Sequence, residues 1–480
     1  MTGPSDVRDL REVPRFDLEA DVVVVGLGCA GAAVTLEATR AGADVVVLER
    51  ASGGGGTSAM SGGVIYLGGG TPIQTACGFE DSAEDMFRYL MAACGPRPDE
   101  AKLRRYSDGS VEHYEWLVGH GVPFKPVFYP HYSGEPPTDD GLVYSGSETC
   151  HPYCDVARPA PRGHVPQVPG AAGGFLMQKL LAAVERTPAR VVTEARVLSL
   201  VVGPGHEVSG VVAHLDGEEK AVRARRGVVL TAGGFINNTA MVRAYAPLLT
   251  RCNFRVGAEG DDGAGIRMGM AVGAAAVNMS LGSVSLPIFP PKSLKKGILV
   301  NGRGQRFVNE DAYFGVLGEH ALYHADGVAY LVLDEATFAW PDVPRDMAGV
   351  GDTASELERN LELPPGSLEA TLAVYNRHAE HGEDPVFQKQ GKWVVPLRPP
   401  FGALDCRTES SLYAAFTLGG LSTSVDGEVL TADGETIPGL YAAGRTTACL
   451  AAPGYASGLS IGDGTFFGRR AGRAAAARRS

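Results

Sequence analysis

No stretch of this 480-residue chain is long and apolar enough to cross a bilayer; its apolar runs, at 22–25 and 228–232, have the length of strands. The first residues, MTGPSDVRDLREVPRFD, lack both an apolar signal-peptide core and a twin arginine, so the expected location is the cytoplasm. Positive charge is scarce. The 43 Lys and Arg against 55 Asp and Glu leave a formal net charge of −12, which speaks against a nucleic-acid footprint. Metal-ligand clusters are missing too: Cys150, His151 and Cys154 stand together without a second ligand group, so no metal is expected. In a cytoplasmic protein the eight cysteines are free thiols.

Glycine, by contrast, is abundant. Its 64 residues cluster at 53–56, 68–70, 173–174, 233–234 and 419–420, a pattern for loops that bring backbone against a ligand. The chain is organised around residues 21–50, DVVVVGLGCAGAAVTLEATRAGADVVVLER. A buried parallel strand is expected over Asp21–Val25, then a helix to about Arg40, a stop at Gly42 and a second strand over Asp44–Leu48. Between the first strand and the helix, Gly26, Gly28 and Gly31 have dinucleotide-binding spacing. Gly26 permits the tight turn, Gly28 lets backbone approach a pyrophosphate, and Gly31 lets the helix pack close. Glu49, about 20 residues on, is placed to accept hydrogen bonds from an adenosine ribose. The glycine-rich loop Ser52–Gly63 offers backbone N–H groups and the hydroxyls of Thr57, Ser58 and Ser61 to wrap a flavin and its phosphates.

Further along, residues 80–120 read as helices and 121–170 as a long loop that contains Arg158, Arg162 and His164, whose roles the sequence leaves open. A helix over Ala172–Glu185 leads into short strands at Arg190–Thr193, Val197–Val202, Ser209–His214 and Lys220–Arg223. A buried strand, Gly227–Leu230, then ends in Thr231-Ala232-Gly233-Gly234, where doubly wound sheets bind ligands. Asp261 or Asp262 is a cap for a following alanine-rich helix, and a last helix opens at Leu459-Ser460-Ile461 and ends near Arg478. Texture divides the chain into 1–280 and 402–480, both glycine-rich, around an inserted unit at 281–401.

These motifs resemble the flavoprotein subunits of fumarate reductase and succinate dehydrogenase, and within that superfamily the 3-ketosteroid dehydrogenases. The matching stretches run nearly end to end: GLGCAG at 26–31, GGGGTSAMSGG at 53–63, TAGG at 231–234, GDDGAGIRMG at 260–269, NGRGQRFVNED at 301–311, TLGGLSTSVDGEVL at 417–430, IPGLYAAGR at 437–445 and GYASGLSIGDGTFFGRRAG at 454–472. The resemblance implies an α/β fold: a Rossmann-like FAD-binding domain split in sequence, with an inserted α+β catalytic domain. It implies one FAD, held by Gly26, Gly28, Ala30, Gly31, Glu49, Arg50, Gly56, Thr57, Ser58, Ser61, Gly62, Gly63, Val197, Ala232, Gly233, Asp262, Gly444, Arg445, Leu459, Ser460 and Ile461. No histidine follows Glu49 in the loop that could link the flavin covalently, so the FAD is expected to be dissociable.

Departures from the reductases carry the functional reading. Their arginine after R-F-x-N-E is replaced by Asp311-Ala312-Tyr313-Phe314, a histidine by Ala415-Phe416, and a C-terminal arginine by Tyr455. Arginine holds carboxylates bidentately. A site that exchanges those groups for Tyr, Phe and Ala suits an apolar ketone such as a ketosteroid. Tyr313 and Tyr455-x-Ser457 resemble the Δ4-(5α) branch in particular. The implied reaction moves hydride from C5 to the flavin and a proton from C4. Tyr455 and Ser457 are the expected donors to the ketone and Tyr313 the first choice as base, although the three can exchange roles. A tyrosine is neutral up to about pH 10, so Tyr313 needs a lowered pKa or a proton-accepting neighbour. Open alternatives are Δ1-dehydrogenation, reduction of an activated alkene, and a non-catalytic flavin protein. The electron acceptor is unknown.

Overall fold

In the computed structural model, residues 6–131 and 136–479 are described, so parts of the N-terminal segment and of the 121–170 loop lie outside. The core forms where the sequence is β-branched and apolar. Strand β1 (Leu18–Val25) turns at Gly26, with φ +98°, into helix α1 (Cys29–Arg40). Strand β2 (Val45–Leu48) returns parallel to β1, Val22 opposite Val45 and Val25 opposite Leu48. Val22, Val23 and Val24 are wholly buried, as strands covered on both faces must be.

Helix α2 (Ala83–Ala93) starts at Ser82, whose hydroxyl accepts the Asp85 N–H. After helix α3 (Ala172–Glu185) come β3 (Arg190–Val192), β4 (Arg196–Val202), β5 (Val208–Leu215) and β6 (Glu218–Leu230). The two strands expected at Lys220–Arg223 and Gly227–Leu230 are one continuous strand, β6. Its first half pairs antiparallel with β5, and after a register shift between Ala224 and Gly227 it ends parallel to β1. The shift carries Arg225 and Arg226, which fall between the two strands expected from the sequence, to Asp21 and Asp44, so they are ion-paired inside one strand.

Two further sheets cover this core. One contains β7 (Phe254–Arg255) and β8 (Gly282–Ser285), joined through the later strand β13 (Ala414–Thr417) in the order β7-β13-β8. The other contains β9 (Ile298–Asn301), β10 (Ala329–Asp334), β11 (Met347–Gly351) and β12 (Phe401–Asp405), in the order β9-β10-β12-β11. These strands straddle the boundaries read at 280 and 401. Helix α4 (Phe314–Tyr323) packs on β8, where Gly318 lies against the Val284 carbonyl.

The chain then re-enters the first sheet. Strand β14 (Thr436–Ala442) runs parallel to β6, Leu440 opposite Val228. Helix α5 (Leu459–Ala477) packs against α1. Gly464, Gly468 and Gly472 recur every fourth residue on the contact face, and a Cβ on the latter two would meet the Ala30 and Val34 carbonyl oxygens. Only glycine allows this approach. An α/β unit split in sequence around inserted sheets results.

Candidate active site

A cavity of about 810 Å³ lies where these units meet. Its nucleotide-facing wall is built from the carboxyl ends of β1, β2 and β6. Helices α1 and α5 both open on it, from Gly28 and Gly458, whose glycine N-caps bring no side chain of their own to the first turn. The N–H groups at two helix starts favour anionic ligand atoms. Glu49 ends β2; its Oε2 accepts the Leu27 N–H at 2.7 Å and its Oε1 the Ala51 N–H at 2.9 Å. The carboxylate thus braces the glycine turn while lining the cavity.

The Ser52–Gly63 loop is not wholly irregular: Gly56–Ala59 form one helical turn. Ser58 Oγ accepts the Cys29 N–H at 3.2 Å, and Ser61 Oγ donates to the Ser58 carbonyl at 2.8 Å. Thr57 donates to Asp261 at 2.9 Å. Asp261 also pairs with Arg445, and Arg50 pairs with Asp262 at 2.8 Å. Arg445 Nη1, buried in the cavity wall, has no hydrogen-bond partner.

The other wall is apolar and carries three hydroxyls. Tyr313 precedes α4 and is 3% exposed; Tyr455 is 9% exposed; Ser457 is half-buried, and all three line the cavity. Tyr313 Oη and Ser457 Oγ are 2.6 Å apart. Tyr455 Oη accepts the Ser460 N–H at 3.3 Å, and its ring meets Phe416 edge-on at 5.1 Å. Sheet alternation sets the rest of this wall. Phe416 on β13 pairs with Ser283 on β8, and the next row outward brings Phe254 and Ser285 to the cavity on either side of Ala414. Phe254 is 55% exposed and Leu412 37% exposed, so the cavity opens between apolar side chains.

Burial pushes the Tyr313 phenol well above its ordinary value, although Ser457 pulls the other way. Tyr455 is raised by burial as well. A free tyrosinate at neutral pH is therefore not what the site provides; the hydrogen-bonded Tyr313–Ser457 pair is. The chain just before Tyr313 carries a buried ion network. Arg306 bridges Glu310 at 2.7 Å and Asp384 at 2.8 Å, and Lys389 reaches Glu310 at 3.1 Å. Next along the chain, Asp311 takes the Lys295 ammonium at its carbonyl and the Gln390 N–H at its carboxylate. Ser147 Oγ receives the Tyr313 N–H at 3.0 Å.

Of the residues singled out for FAD, all line this cavity except Gly31 and Leu459. Gly31 lies against the Gly26 carbonyl and Thr231, where it closes the helix–strand contact. Leu459 is wholly buried in a hydrophobic cluster. Arg162 and His164 do not line the cavity. Arg162 is spent on Asp81 in a fully buried pair, and His164 faces Thr71, with burial pulling it down to about 4. Among the described residues no group of His, Cys, Asp and Glu could hold a metal. Cys150 donates to the Asp311 carbonyl and His151 pairs with Asp155. No helix among those residues is long and apolar enough to cross a membrane.

A family model for the FAD binding domain matches residues 21–461. The chain belongs to that FAD-binding family. Its cofactor is FAD, and the two helix starts with glycine N-caps, the Glu49 carboxylate and the orphaned Arg445 nitrogen fit one. As a member of the family it is 30% identical to the 3-oxo-5-alpha-steroid 4-dehydrogenase of Comamonas testosteroni, over 92% of this chain and 94% of that protein. A crystal structure of 3-ketosteroid-delta4-(5alpha)-dehydrogenase from Rhodococcus jostii RHA1, in complex with 4-androstene-3,17-dione, is 48% identical. It matches with a TM-score of 0.93, over 98% of this chain and 100% of that one. The 3-ketosteroid delta1-dehydrogenase of Sterolibacterium denitrificans, at 22% identity and a TM-score of 0.71, shares the fold over 96% of this chain and 99% of that one. This FAD-binding protein is a flavin-dependent oxidoreductase of the ketosteroid dehydrogenase type, and the resemblance read from its motifs holds.

Proposed function

We propose that the protein desaturates a saturated 3-ketosteroid between C4 and C5. The observation that carries the reading is the Tyr313–Ser457 pair beside Tyr455 in an otherwise apolar pocket. Of the arginines on the cavity wall, Arg50 pairs with Asp262 and Arg445 with Asp261, and the one Arg445 nitrogen left over, Nη1, is the one that suits the flavin. A dicarboxylate would find no free guanidinium at the hydroxyl end, whereas a four-ring ketone finds apolar walls and one donor. The product-like ligand in the Rhodococcus relative supports the same class.

In this reading Tyr455 binds the C3 oxygen. Its own oxygen already accepts the Ser460 N–H, so its proton is free to donate. Enolate charge developing on C3–O is stabilised by that preset donor. The acidified C4 proton passes to the Tyr313 oxygen as the phenol gives up its own proton through the Ser457 hydroxyl to solvent, so the pair is neutral before and after. FAD, when bound, supplies the two-electron acceptor that takes hydride from C5. Phe416, Phe254 and Leu412 hold the rings and exclude water. Glu49, Ser58 and the helix starts of α1 and α5 would hold the cofactor. The eight free cysteines support a reducing compartment, the cytoplasm. The test is turnover of a saturated 3-keto-5α-steroid with an artificial electron acceptor. Formation of a 4-en-3-one supports the reading, while reduction of fumarate or acrylate with no steroid turnover rejects it.

A further inference from the structure

Helix α4 begins beside Tyr313 and carries, on its inner side, a carboxyl that the proposed chemistry does not use. Glu319 is 6% exposed. Its Oε2 accepts the Gly454 N–H at 3.1 Å, and its Oε1 makes no hydrogen bond. Gly454 opens the segment that presents Tyr455 and Ser457, and that segment is tightly boxed. Gly454 has φ +88°, and a Cβ there would run into the Ala93 carbonyl at the end of α2. Gly95 packs on Pro453 in the same way. On the opposite side α4 supplies two contacts, Gly315 against the Tyr455 carbonyl and Glu319 against the Gly454 N–H.

Resting on the proposed dehydrogenation, we infer that Glu319 is a positioning residue: as a hydrogen-bond acceptor on the helix that bears Tyr313, it pins the Gly454–Ser457 segment so that Ser457 meets Tyr313 and Tyr455 meets the ketone. The pin joins the inserted unit to the C-terminal segment across the reacting centre. Neither hydroxyl of the catalytic pair fixes that distance by itself, because each sits on a different element. Glu319 spans the two.

The groups facing this carboxyl are Cys94 just beyond α2, Tyr153, Tyr313 and Tyr323. All are uncharged at neutral pH. Burial therefore pushes the Glu319 carboxyl up to about 8, against the pull of the Gly454 and Tyr455 N–H groups. A buried acid without a cation is tolerated as the neutral form. Its folded pKa lies above the ordinary glutamate value, so the stability it contributes is full below that ordinary value, falls away as pH rises from there, and is gone once pH has passed through about 8. Above that point an uncompensated charge is buried behind the active-site segment; the carboxylate accepts the Gly454 N–H more strongly, but its desolvation strains the docked arrangement of α4 and the Gly454–Ser457 segment.

The experiment compares wild type, Glu319→Gln and Glu319→Leu as holoenzymes from about pH 6 to about pH 10, reading kcat, KM and melting temperature. Glutamine keeps the acceptor and cannot ionise. The expected wild-type kcat falls on an alkaline limb near pH 8 with KM little changed, and Glu319→Gln loses that limb. Glu319→Leu, which leaves the Gly454 N–H without its acceptor, lowers kcat by about tenfold or more across the range while FAD stays bound. Superimposable wild-type and Glu319→Gln profiles, or a Glu319→Leu enzyme that turns over at the wild-type rate, overturn the inference. Melting needs no substrate and separates the two claims. If wild type turns over no 3-ketosteroid, the proposed function falls, and Glu319 is still decided. A wild-type melting temperature that falls relative to that of Glu319→Gln as pH rises from about 6 to about 8, and keeps that offset above, supports the buried, ionisable pin; curves that stay parallel from about pH 6 through about pH 8 reject it.

Discussion

Tyr313 and Ser457 are 144 residues apart in sequence, and their hydroxyl oxygens are 2.6 Å apart in the fold. One is delivered by the start of α4 in the inserted unit, the other by the segment leading into α5. The active centre is thus assembled by docking of two units rather than by a local motif. Removing either hydroxyl breaks the proton path. Tyr313→Phe and Ser457→Ala are each expected to lower kcat by about 10²-fold or more, with the flavin absorbance of the purified protein unchanged. Wild-type turnover in either variant would dissolve the pair as the proton acceptor.

Tyr455 has a different task, and its loss should look different. Tyr455→Phe keeps the ring against Phe416 and removes the donor to the ketone. Stabilisation of a developing oxyanion acts on the transition state, so kcat should fall by about 10²- to 10³-fold with KM close to wild type. Steady-state kinetics on a 3-ketosteroid reads both. A change confined to KM would make Tyr455 a binding residue only.

Much of the nucleotide end was legible in the sequence, because its signals are local. Gly26, Gly28 and Glu49 sit at fixed offsets from an apolar strand, and those offsets are set by one βαβ unit. The substrate end is non-local, and its physics is hidden in a sequence. The identity of Tyr313 could be read from a departure in the R-F-x-N-E region, but its raised pKa comes from burial that only the docked fold creates. Arg225 and Arg226 read as a strand break because their partners, Asp21 and Asp44, lie far back in the chain. In the sequence Asp261 reads as a helix cap, whereas in the fold it gathers Thr57 and Arg445 on the cavity wall. Glu319 carried no signal at all: one acid in an apolar helix looks like any surface position until Gly454 is placed against it.

The apolar mouth makes a prediction about affinity. Phe254 and Leu412 line the cavity yet remain partly open to solvent, so they meet the end of the substrate far from the hydroxyls. Leu412→Asp places a charge where apolar surface is buried on binding. KM for a 3-ketosteroid should rise by about tenfold, the equivalent of roughly 50 Å² of lost apolar contact, with kcat little changed. An unaltered KM would move the substrate's far end away from this rim.

The ion network behind Tyr313 makes one about stability. Arg306, Glu310, Asp384 and Lys389 are all nearly inaccessible. Arg306→Met leaves two buried carboxylates short of a partner, and breaking one side of such a network costs about 3–5 kcal/mol. Denaturant unfolding of the holoenzyme should show that loss, and activity should fall with it because Asp311 and Tyr313 follow directly in the chain. A variant as stable as wild type would show that the network does not hold this segment.

The most direct test of the account is anaerobic mixing of the oxidised holoenzyme with a saturated 3-keto-5α-steroid, followed at the flavin band, with the same substrate deuterated at C5 as the comparison. The account predicts that the flavin bleaches, that a 4-en-3-one forms in equal amount, and that C5 deuteration slows the bleaching. No bleaching, or bleaching that yields a 1-ene product and is indifferent to deuterium at C5, would contradict it.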